Sequence, residues 1–289
     1  MGTMKTGALV LSFNHCELTQ RCVQSVQKFF LDEKIILVHN GSESRVVEKL
    51  KNRFPGIHHL VMTNNLGYAG GMNKGLEHFY VTLNLPWCLA ITNDAELMAM
   101  NFLVEELDAR IIAPLIYFRS MKKIDAWGAW YEIKKGKLHH HRDMDKLVGE
   151  FDHSTFYIPG TAFLVHREVL AKKHYFMGPL FTFWEDVLWS HQAKHLGFKL
   201  SRTNLITFKH GGGKTTRKDT TYTSYFYQRN RIIVTKLIEK NIMIRILALT
   251  LIIQSLIFQI AKKIIKGDWI RGKHLVLALF HGIKFKIDE

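Results

Sequence analysis

Apolar and polar positions along the first hundred residues fall into short apolar runs separated by amphipathic stretches. Residues 6–13 (TGALVLSF) form an apolar run that gives way to Asn14 and His15, which predicts a buried strand ending in a loop. Over residues 17–30, Leu18, Cys22, Val26 and Phe29 recur every three to four positions, with Glu17 or Thr19 able to cap, so a helix returns over the sheet. Residues 34–39 (KIILVH) predict a second buried strand, closed by the turn-forming Asn40-Gly41-Ser42, and residues 44–54 a second helix. A third strand follows at 58–63 (HHLVMT). The glycine-rich stretch 65–75 (NLGYAGGMNKG) leads into a helix, and residues 87–92 (WCLAIT) make a fourth strand ending at Asn93-Asp94-Ala95-Glu96. Strands alternating with helices mean a parallel α/β sheet, in which ligands bind beyond the carboxyl ends of the strands. Those ends carry Asn14, His39, Asn40, the glycine loop, Asp94 and Glu96.

Residues 101–231 are less regular. They contain a strand-like run at 162–166, an aromatic and acidic cluster at 181–186 (FTFWED), a helix at 187–196 and the loop His210-Gly211-Gly212-Gly213. His139, His140 and His141 resemble a metal cluster, but adjacent side chains point apart, and a solvated hairpin tip accounts for them better. From about residue 242 the character changes. Residues 246–261 (ILALTLIIQSLIFQIA) are nearly all apolar, yet Arg245, Ser255, Gln259, Lys262, Lys263 and Lys266 fall on one stripe at about 100° per residue. The stripe, and the interruptions at Gln254 and Gln259 in a run shorter than the roughly 20 apolar residues a span needs, predict a helix lying flat. Eight basic residues against three acids beyond residue 241 suit an anionic leaflet, the alternative being a helix pair packed on the domain or on a second subunit.

Composition narrows the class. An apolar share of 47% with only 5 prolines excludes a disordered or collagenous chain. The net charge of +15 predicts an anionic partner: nucleic acid, acidic lipid or a phosphorylated ligand. Cys16, Cys22 and Cys88 are odd in number and include no CxxC pair, and the start shows no secretory pattern, so reduced thiols and a cytoplasmic chain are expected.

Three groups of residues offer chemistry. Asp94 and Glu96 close a strand with one residue between them, which in extended geometry puts both carboxylates on one face, able to hold one divalent cation. Gly67, Gly70, Gly71 and Gly75 let the backbone approach a ligand while Asn65 and Asn73 offer amides, although the spacing is not that of a dinucleotide fingerprint. Gly211 to Thr215 (GGGKT) fails as a phosphate-binding loop, because position 208 is Phe208 where glycine is required. Glu185 and Asp186, set among Phe183, Trp184 and Trp189, form a carboxylate pair in an apolar setting; one acid is tunable as a general base and the rings can stack on sugars.

In order and spacing, ALVLSFN, ILVHNGS, NLGYAGGMNKG, TNDAEL, GTAFLVHREVL, FTFWEDVLWSHQAKHLGF, KHGGGKT and YFYQRN resemble the inverting family 2 glycosyltransferases, particularly the bacterial rhamnosyltransferase-like branch, over about residues 5–235. The resemblance implies an α/β GT-A fold: a Rossmann-like nucleotide-binding half (1–100) fused to an acceptor-binding half (101–235) on a mostly parallel sheet, with amphipathic C-terminal helices (236–289). It implies a nucleotide-diphosphate sugar donor held by Ser12, Asn14, His39, Asn40, Asn65, Gly67, Gly70, Gly71, Asn73, Asp94 and Arg229, and Mg2+ or Mn2+ held by Asp94, Glu96 and His210. Asp186, with Glu185 beside it, matches the catalytic base, and Phe183 and Trp184 face the acceptor. Arg229 and Asn230 match an Arg-Asn pair for which a diphosphate contact is the expectation. Two departures stand out: His39 replaces the usual Asp before Asn-Gly-Ser, and Glu96 replaces the second Asp of the D-x-D.

The expected reaction moves a sugar, with dTDP-rhamnose the first donor and a UDP-sugar the next, to a hydroxyl of a lipid-linked or oligosaccharide acceptor in surface polysaccharide synthesis. It places the protein on the inner face of the cell membrane through its C-terminal helices, with room for a homodimer. The rival readings are a non-catalytic sugar-nucleotide binder and a nucleic-acid-binding module built on residues 209–227. Nucleic acid is not an expected partner, because the positive charge is shared between the tail and scattered lysines.

Overall fold

The computed structural model describes residues 5–101, 108–140, 142, 154–211 and 220–286; His141 and the 212–215 part of the GGGKT run lie outside them. Strands β1 (Thr6–Ser12), β2 (Ile35–Asn40), β3 (His58–Met62) and β4 (Trp87–Thr92) alternate with helices α1 (Cys16–Val26), α2 (Ser44–Arg53) and α3 (Gly67–Thr82). β1 runs parallel to both β2 and β4, and β2 to β3. The apolar runs are continuous because both faces of this sheet are covered. Ala8, Val10, Ile35 and Leu37 pack with Cys22, Val26 and Leu50 from α1 and α2. Leu9, Leu11, Ile36 and Val38 pack with Met72, Leu76 and Phe79 from α3. At roughly 1.5–3 kcal/mol for each large aliphatic or aromatic side chain removed from water, these two layers carry the half of the molecule that presents the crevice.

The expectation of a mostly parallel sheet holds for this half and fails beyond it. β5 (Ala95–Met100), β6 (Ile111–Phe118), β7 (Ile124–Ala126), β11 (Ala162–His166) and β12 (Leu200–His210) complete a nine-stranded sheet of order β3-β2-β1-β4-β11-β6-β12-β5, with β7 on β6. β11 is antiparallel to β4 and β6, β5 is antiparallel to β12, and only β6 and β12 run parallel. β8 (Ala129–Glu132), β9 (Lys137–His140) and β10 (Phe156–Tyr157) form a second, three-stranded sheet that places His139 and His140 on a strand instead of a hairpin tip.

Helices α4 (Arg167–Ala171) and α5 (Glu185–His195) follow β11, and α6 (Thr220–Ile238), α7 (Ile242–Ile265) and α8 (Trp269–Lys284) end the chain. α6 packs against α7 and α8, with Ile232, Ile252, Leu256 and Leu275 forming their shared core. α7 is longer than its apolar run suggests: its 24 residues include an 18-residue stretch of mean hydropathy 2.0, the length and composition of a membrane span. Its polarity is inverted. The buried stripe of Ala248, Ile252 and Leu256 shares its side with Arg245 and Gln259, the latter accepting a 3.3 Å bond from Gln228 on α6, while Ser255, Lys262 and Lys266 of the polar stripe stay exposed. Ile246, Leu247, Leu251, Ile257 and Phe258 point outward instead.

Candidate active site

A cavity of about 470 Å³ opens at the carboxyl ends of β1, β2 and β4, lined there by Leu11, Phe13, Asn40, Thr92, Asn93 and Asp94. Asn65, Gly67 and Tyr68 at the start of α3 form a second wall, and Phe181, Thr182, Tyr222 and Thr223 a third. Three separate parts of the chain therefore meet around one hollow.

The glycine stretch builds this wall by close packing. α3 begins at Gly67 itself, so Gly70, Gly71 and Gly75 lie inside the helix instead of in a loop facing a ligand. Gly67 has φ +72°, and a Cβ there would stand 2.4 Å from the Phe181 carbonyl oxygen. A Cβ on Gly71 would stand 2.7 Å from Asn40 Nδ2, and one on Gly75 2.6 Å from Leu9 Cδ1, so these two let α3 lie against β1 and β2. The Gly70 Cβ position is 2.7 Å from Leu66 of its own turn. Asn40 ties the corner together: its Nδ2 donates to Asn65 Oδ1 (3.1 Å) and to the Gly67 carbonyl (2.9 Å), and its Oδ1 accepts from Leu66 N–H (3.0 Å).

Asp94 and His210 meet as the resemblance implies, with Oδ2 and Nε2 3.2 Å apart. Glu96 does not join them. The two-residue alternation requires both acids to lie in one strand, whereas Asp94 sits in the turn before β5 and Glu96 within it, opposite Lys209 in the β12 register. Glu96 pairs with Lys209 (2.9 Å) and Arg21 (3.6 Å). The second carboxylate on His210 is that of Asp125, 2.7 Å from Nδ1, which sequence reasoning missed because β7 brings it from 85 residues away. Burial pulls the imidazole pKa down, but the bonds from Asp125 and Asp94 outweigh that and raise it to about 9. Burial likewise raises Asp94, and its bond to His210 more than reverses the effect, holding it below the usual range. Among the described residues no group of three or more His, Cys, Asp or Glu is arranged to hold a metal. With both ring nitrogens bonded to carboxylates His210 is charged and offers no lone pair, so a divalent cation here would rest on Asp94 and its own waters, and His210 would join only after losing its Nε2 proton.

Asp186 opens α5 with both oxygens held: Oδ2 accepts from Gly160 N–H (3.0 Å) and Oδ1 from Val187 N–H (2.9 Å). The Gly160 carbonyl in turn accepts from Tyr68 Oη (2.7 Å), so one residue links the cavity wall to the carboxylate. Burial raises Asp186 to about 6, which the two backbone bonds moderate. Glu185 is only 5% exposed and its Oε2 lacks a partner; burial and then the neighbouring Asp186 push it well above the usual carboxylate range. It lies buried beside Asp186, and neither acid is among the residues lining the cavity.

The family model described as Glycosyl transferase family 2 matches residues 8–172, more than half of the chain. The chain belongs to this family. Among solved structures it is similar to mannosyltransferase PcManGT from Pyrobaculum calidifontis in complex with GDP-Man and Mn2+ (TM-score 0.57, 11% identity, 98% of this chain and 88% of that one). It is also similar to GalNAc-T7 with UDP, GalNAc and Mn2+ (TM-score 0.57, 12% identity), covering 81% of this chain but only 48% of that one. S. aureus TarS 1-349 aligns at TM-score 0.52 and 13% identity over 86% of this chain and 71% of that one. At such identities the likeness is one of fold, and the fold is GT-A. No curated protein matches the chain in sequence.

Several residues expected to touch the donor have polar atoms engaged by the frame of this family 2 chain. Ser12 is fully buried, its Oγ 2.7 Å from Thr19 Oγ1 and 3.4 Å from Asn93 Nδ2. His39 is fully buried too: its ring stacks on His59 at 5.2 Å and its Nε2 is 2.9 Å from His59 Nδ1. Burial and then His59 lower its pKa to about 4, so the replacement for the usual acid is a neutral side chain inside the sheet. Asn73 forms a pair of bonds with the backbone of Phe176, 2.8 and 2.9 Å, away from the cavity. Asn14, at φ 58°, accepts from Glu43 N–H (2.9 Å) while its own N–H donates to Ser42 Oγ (2.9 Å), which pins the loop after β1 to the turn after β2.

Trp184 is 1% exposed and packs on Tyr227 inside the α5–α6 core, so it offers no face to an acceptor, while Phe183 is half-buried beside it. Arg229 does not reach the cavity lining: its guanidinium donates to the Pro179 (2.7 Å) and Leu180 (3.0 Å) carbonyls and lies over the Phe226 ring. Within the 181–184 turn, Phe181 is the aromatic that lines the cavity, stacked on Phe226 at 5.0 Å.

Proposed function

We propose that this chain is a metal-dependent inverting glycosyltransferase that moves a sugar from a nucleotide-diphosphate donor, dTDP-rhamnose first and a UDP-sugar next, to a hydroxyl of a lipid-linked glycan acceptor. The observation that carries the reading is the link from cavity to carboxylate: Tyr68, in the wall, bonds to Gly160, whose N–H holds Asp186. A carboxylate raised to about 6 is a base matched to neutral pH. In this reading residues 1–100 bind the donor, 101–235 the acceptor, and 236–289 the membrane. The donor diphosphate occupies the Asp94 side of the cavity, where Asp94 would hold Mg2+ or Mn2+, with His210 joining once its Nε2 proton is displaced; the cation, when bound, offsets the charge that builds on the departing diphosphate. Asn40 and Asn65 keep the α3 wall in place. Asp186 takes the proton of the acceptor hydroxyl as it attacks the anomeric carbon from the face opposite the diphosphate, so configuration inverts.

The inverted helix α7 supports the membrane part of the reading. Its apolar side is turned out, and Phe258 (71% exposed), Ile265 (84%), Trp269 (65%) and Ile270 (70%) cluster around its junction with α8. Lys262, Lys266 and Lys273 stand exposed among them, the chemistry of an anionic bilayer surface. Because the other side of α7 packs on α6, the helix rests in the interface instead of crossing it.

The test is a thermal-shift screen of dTDP-, UDP- and GDP-sugars, each with and without Mn2+. A ligand at 100 times its Kd adds about 2.7 kcal/mol of stability. A Mn2+-dependent shift with one nucleotide, followed by release of that nucleoside diphosphate when acceptor lipid is added, is expected. Binding without turnover would make the chain a non-catalytic sugar-nucleotide binder.

A further inference from the structure

The turn that leads into α5 is strained. Phe181, Phe183 and Trp184 all have positive φ (66°, 67° and 70°), a conformation that bulky residues avoid and that persists only where surrounding groups impose it. Each carbonyl from Leu180 to Trp184 is held from outside or by the helix it enters. Asn230 Nδ2 lies within bonding distance of three of them, Leu180 (2.7 Å), Thr182 (2.8 Å) and Phe183 (2.8 Å). Ala69 N–H takes the Phe181 carbonyl (3.0 Å) and Leu188 N–H takes that of Trp184 (3.1 Å). Arg229 adds bonds to Pro179 and Leu180, and its Nε donates to Asn230 Oδ1 (2.8 Å), which orients the amide. Asn230 is fully buried, and Asp186 follows the turn by two residues.

We propose that Arg229 and Asn230 are positioning residues that hold the 180–184 turn in its strained form and thereby fix the position of Asp186 behind the cavity wall. This rests on Asp186 being the base, and it replaces the diphosphate contact expected for Arg229. A side-chain amide suits the task because its N–H groups converge on carbonyls, whereas a carboxylate there would face them with like charge. The same turn carries the Phe181 carbonyl to α3, so releasing it disturbs the base and the cavity wall together.

Asn230→Ala and Arg229→Gln in the full chain test this by amide hydrogen exchange and by kinetics. Exchange at Gly160 and Ala69 should quicken tenfold or more while the amides of β1 and β4 keep their wild-type rates. Turnover of the nucleotide sugar selected above should show kcat lowered about 10²-fold, the scale of a small misplacement of a reacting group, with a smaller rise in donor KM from the disturbed wall. Unchanged exchange and kcat in both variants would overturn the proposal. So would uniform acceleration across the sheet with kcat per folded molecule retained, since that marks a purely structural pair. If Asn230→Ala does not fold, Arg229→Gln decides by the same two readings. Asp186→Asn separates the assumptions: full turnover there would remove the base assignment while the exchange data still judged the clamp.

Discussion

The cavity and the α7–α8 pair share one helix, α6, yet are finished to different degrees. Around the cavity the charged and amide groups already have partners: Asp94 with His210, His210 with Asp125, Asp186 with two backbone N–H groups, and Asn40 with the α3 corner. On the helical pair large apolar side chains remain in the open, Ile265 at 84% exposure and Ile270 at 70%. A site that must stabilise developing charge gains from dipoles fixed beforehand. A surface that meets a bilayer is completed only by its partner. The two regions should therefore answer to different perturbations.

The largest separation is expected at the base. Asp186→Asn should lower sugar transfer about 10³-fold, within the range for loss of a general base, while nucleotide binding and vesicle binding stay at wild-type levels. Because Asp186 titrates near 6, wild-type transfer should fall as pH drops through 6, where the carboxylate takes up a proton and ceases to be a base. A variant that kept a tenth of the wild-type rate, read as nucleoside diphosphate released, would remove Asp186 from the role. Next in size is the cation: stripping with EDTA should cost about 10²-fold in rate, restored by Mn2+ or Mg2+, and Asp94→Ala should lose the restoration. If EDTA changed nothing, the Asp94–His210 pair would be an ion pair of the frame.

Much of this was legible beforehand, and the failures share a cause. The apolar runs of β1, β2 and β4 place themselves, because strands covered on both faces need no register information to be seen. Asp94, His210 and Asp186 stood out because their neighbours carry a dense family pattern. What could not be read depends on contacts far along the chain. Asp125 reaches His210 only through the pairing of β7 with β6, and Asn230 reaches its carbonyls across 47 to 50 residues. Glu96 was misplaced because a turn broke the alternation between it and Asp94. The inverted polarity of α7 was hidden for the same reason: a helical wheel shows a polar stripe but not which side meets the protein.

The helical pair gives the next effect. Replacing Lys262, Lys266 and Lys273 together by Gln should weaken binding to anionic vesicles about 10²-fold, at about 1 kcal/mol for each basic residue near the surface, and leave transfer to a soluble oligosaccharide acceptor unchanged. Vesicle co-sedimentation reads the first and nucleotide release the second. Unaltered sedimentation would show that the exposed apolar side chains meet another protein surface, a second copy of the chain foremost.

The smallest effect tests the buried acid beside the base. Burial and then the neighbouring Asp186 push Glu185 up, so its folded pKa lies above that of the unfolded chain, about 4.3. Both forms are protonated at low pH and the group then favours neither; as pH rises past 4.3 the unfolded chain ionises and the folded one does not, so stability drains away until the folded pKa is passed. One group can supply at most about 1.4 kcal/mol per pH unit across that window. Glutamine is neutral throughout, so Glu185→Gln should raise Tm more at pH 8 than at pH 5, and calorimetry at the two pH values reads the difference. The midpoint of the transfer profile should stay near 6, because burial and not Glu185 is what raises Asp186. A Tm that fell with rising pH as steeply as in the wild type would mean that Glu185 is ionised in the fold, and that its unpartnered oxygen sees water or a cation after all.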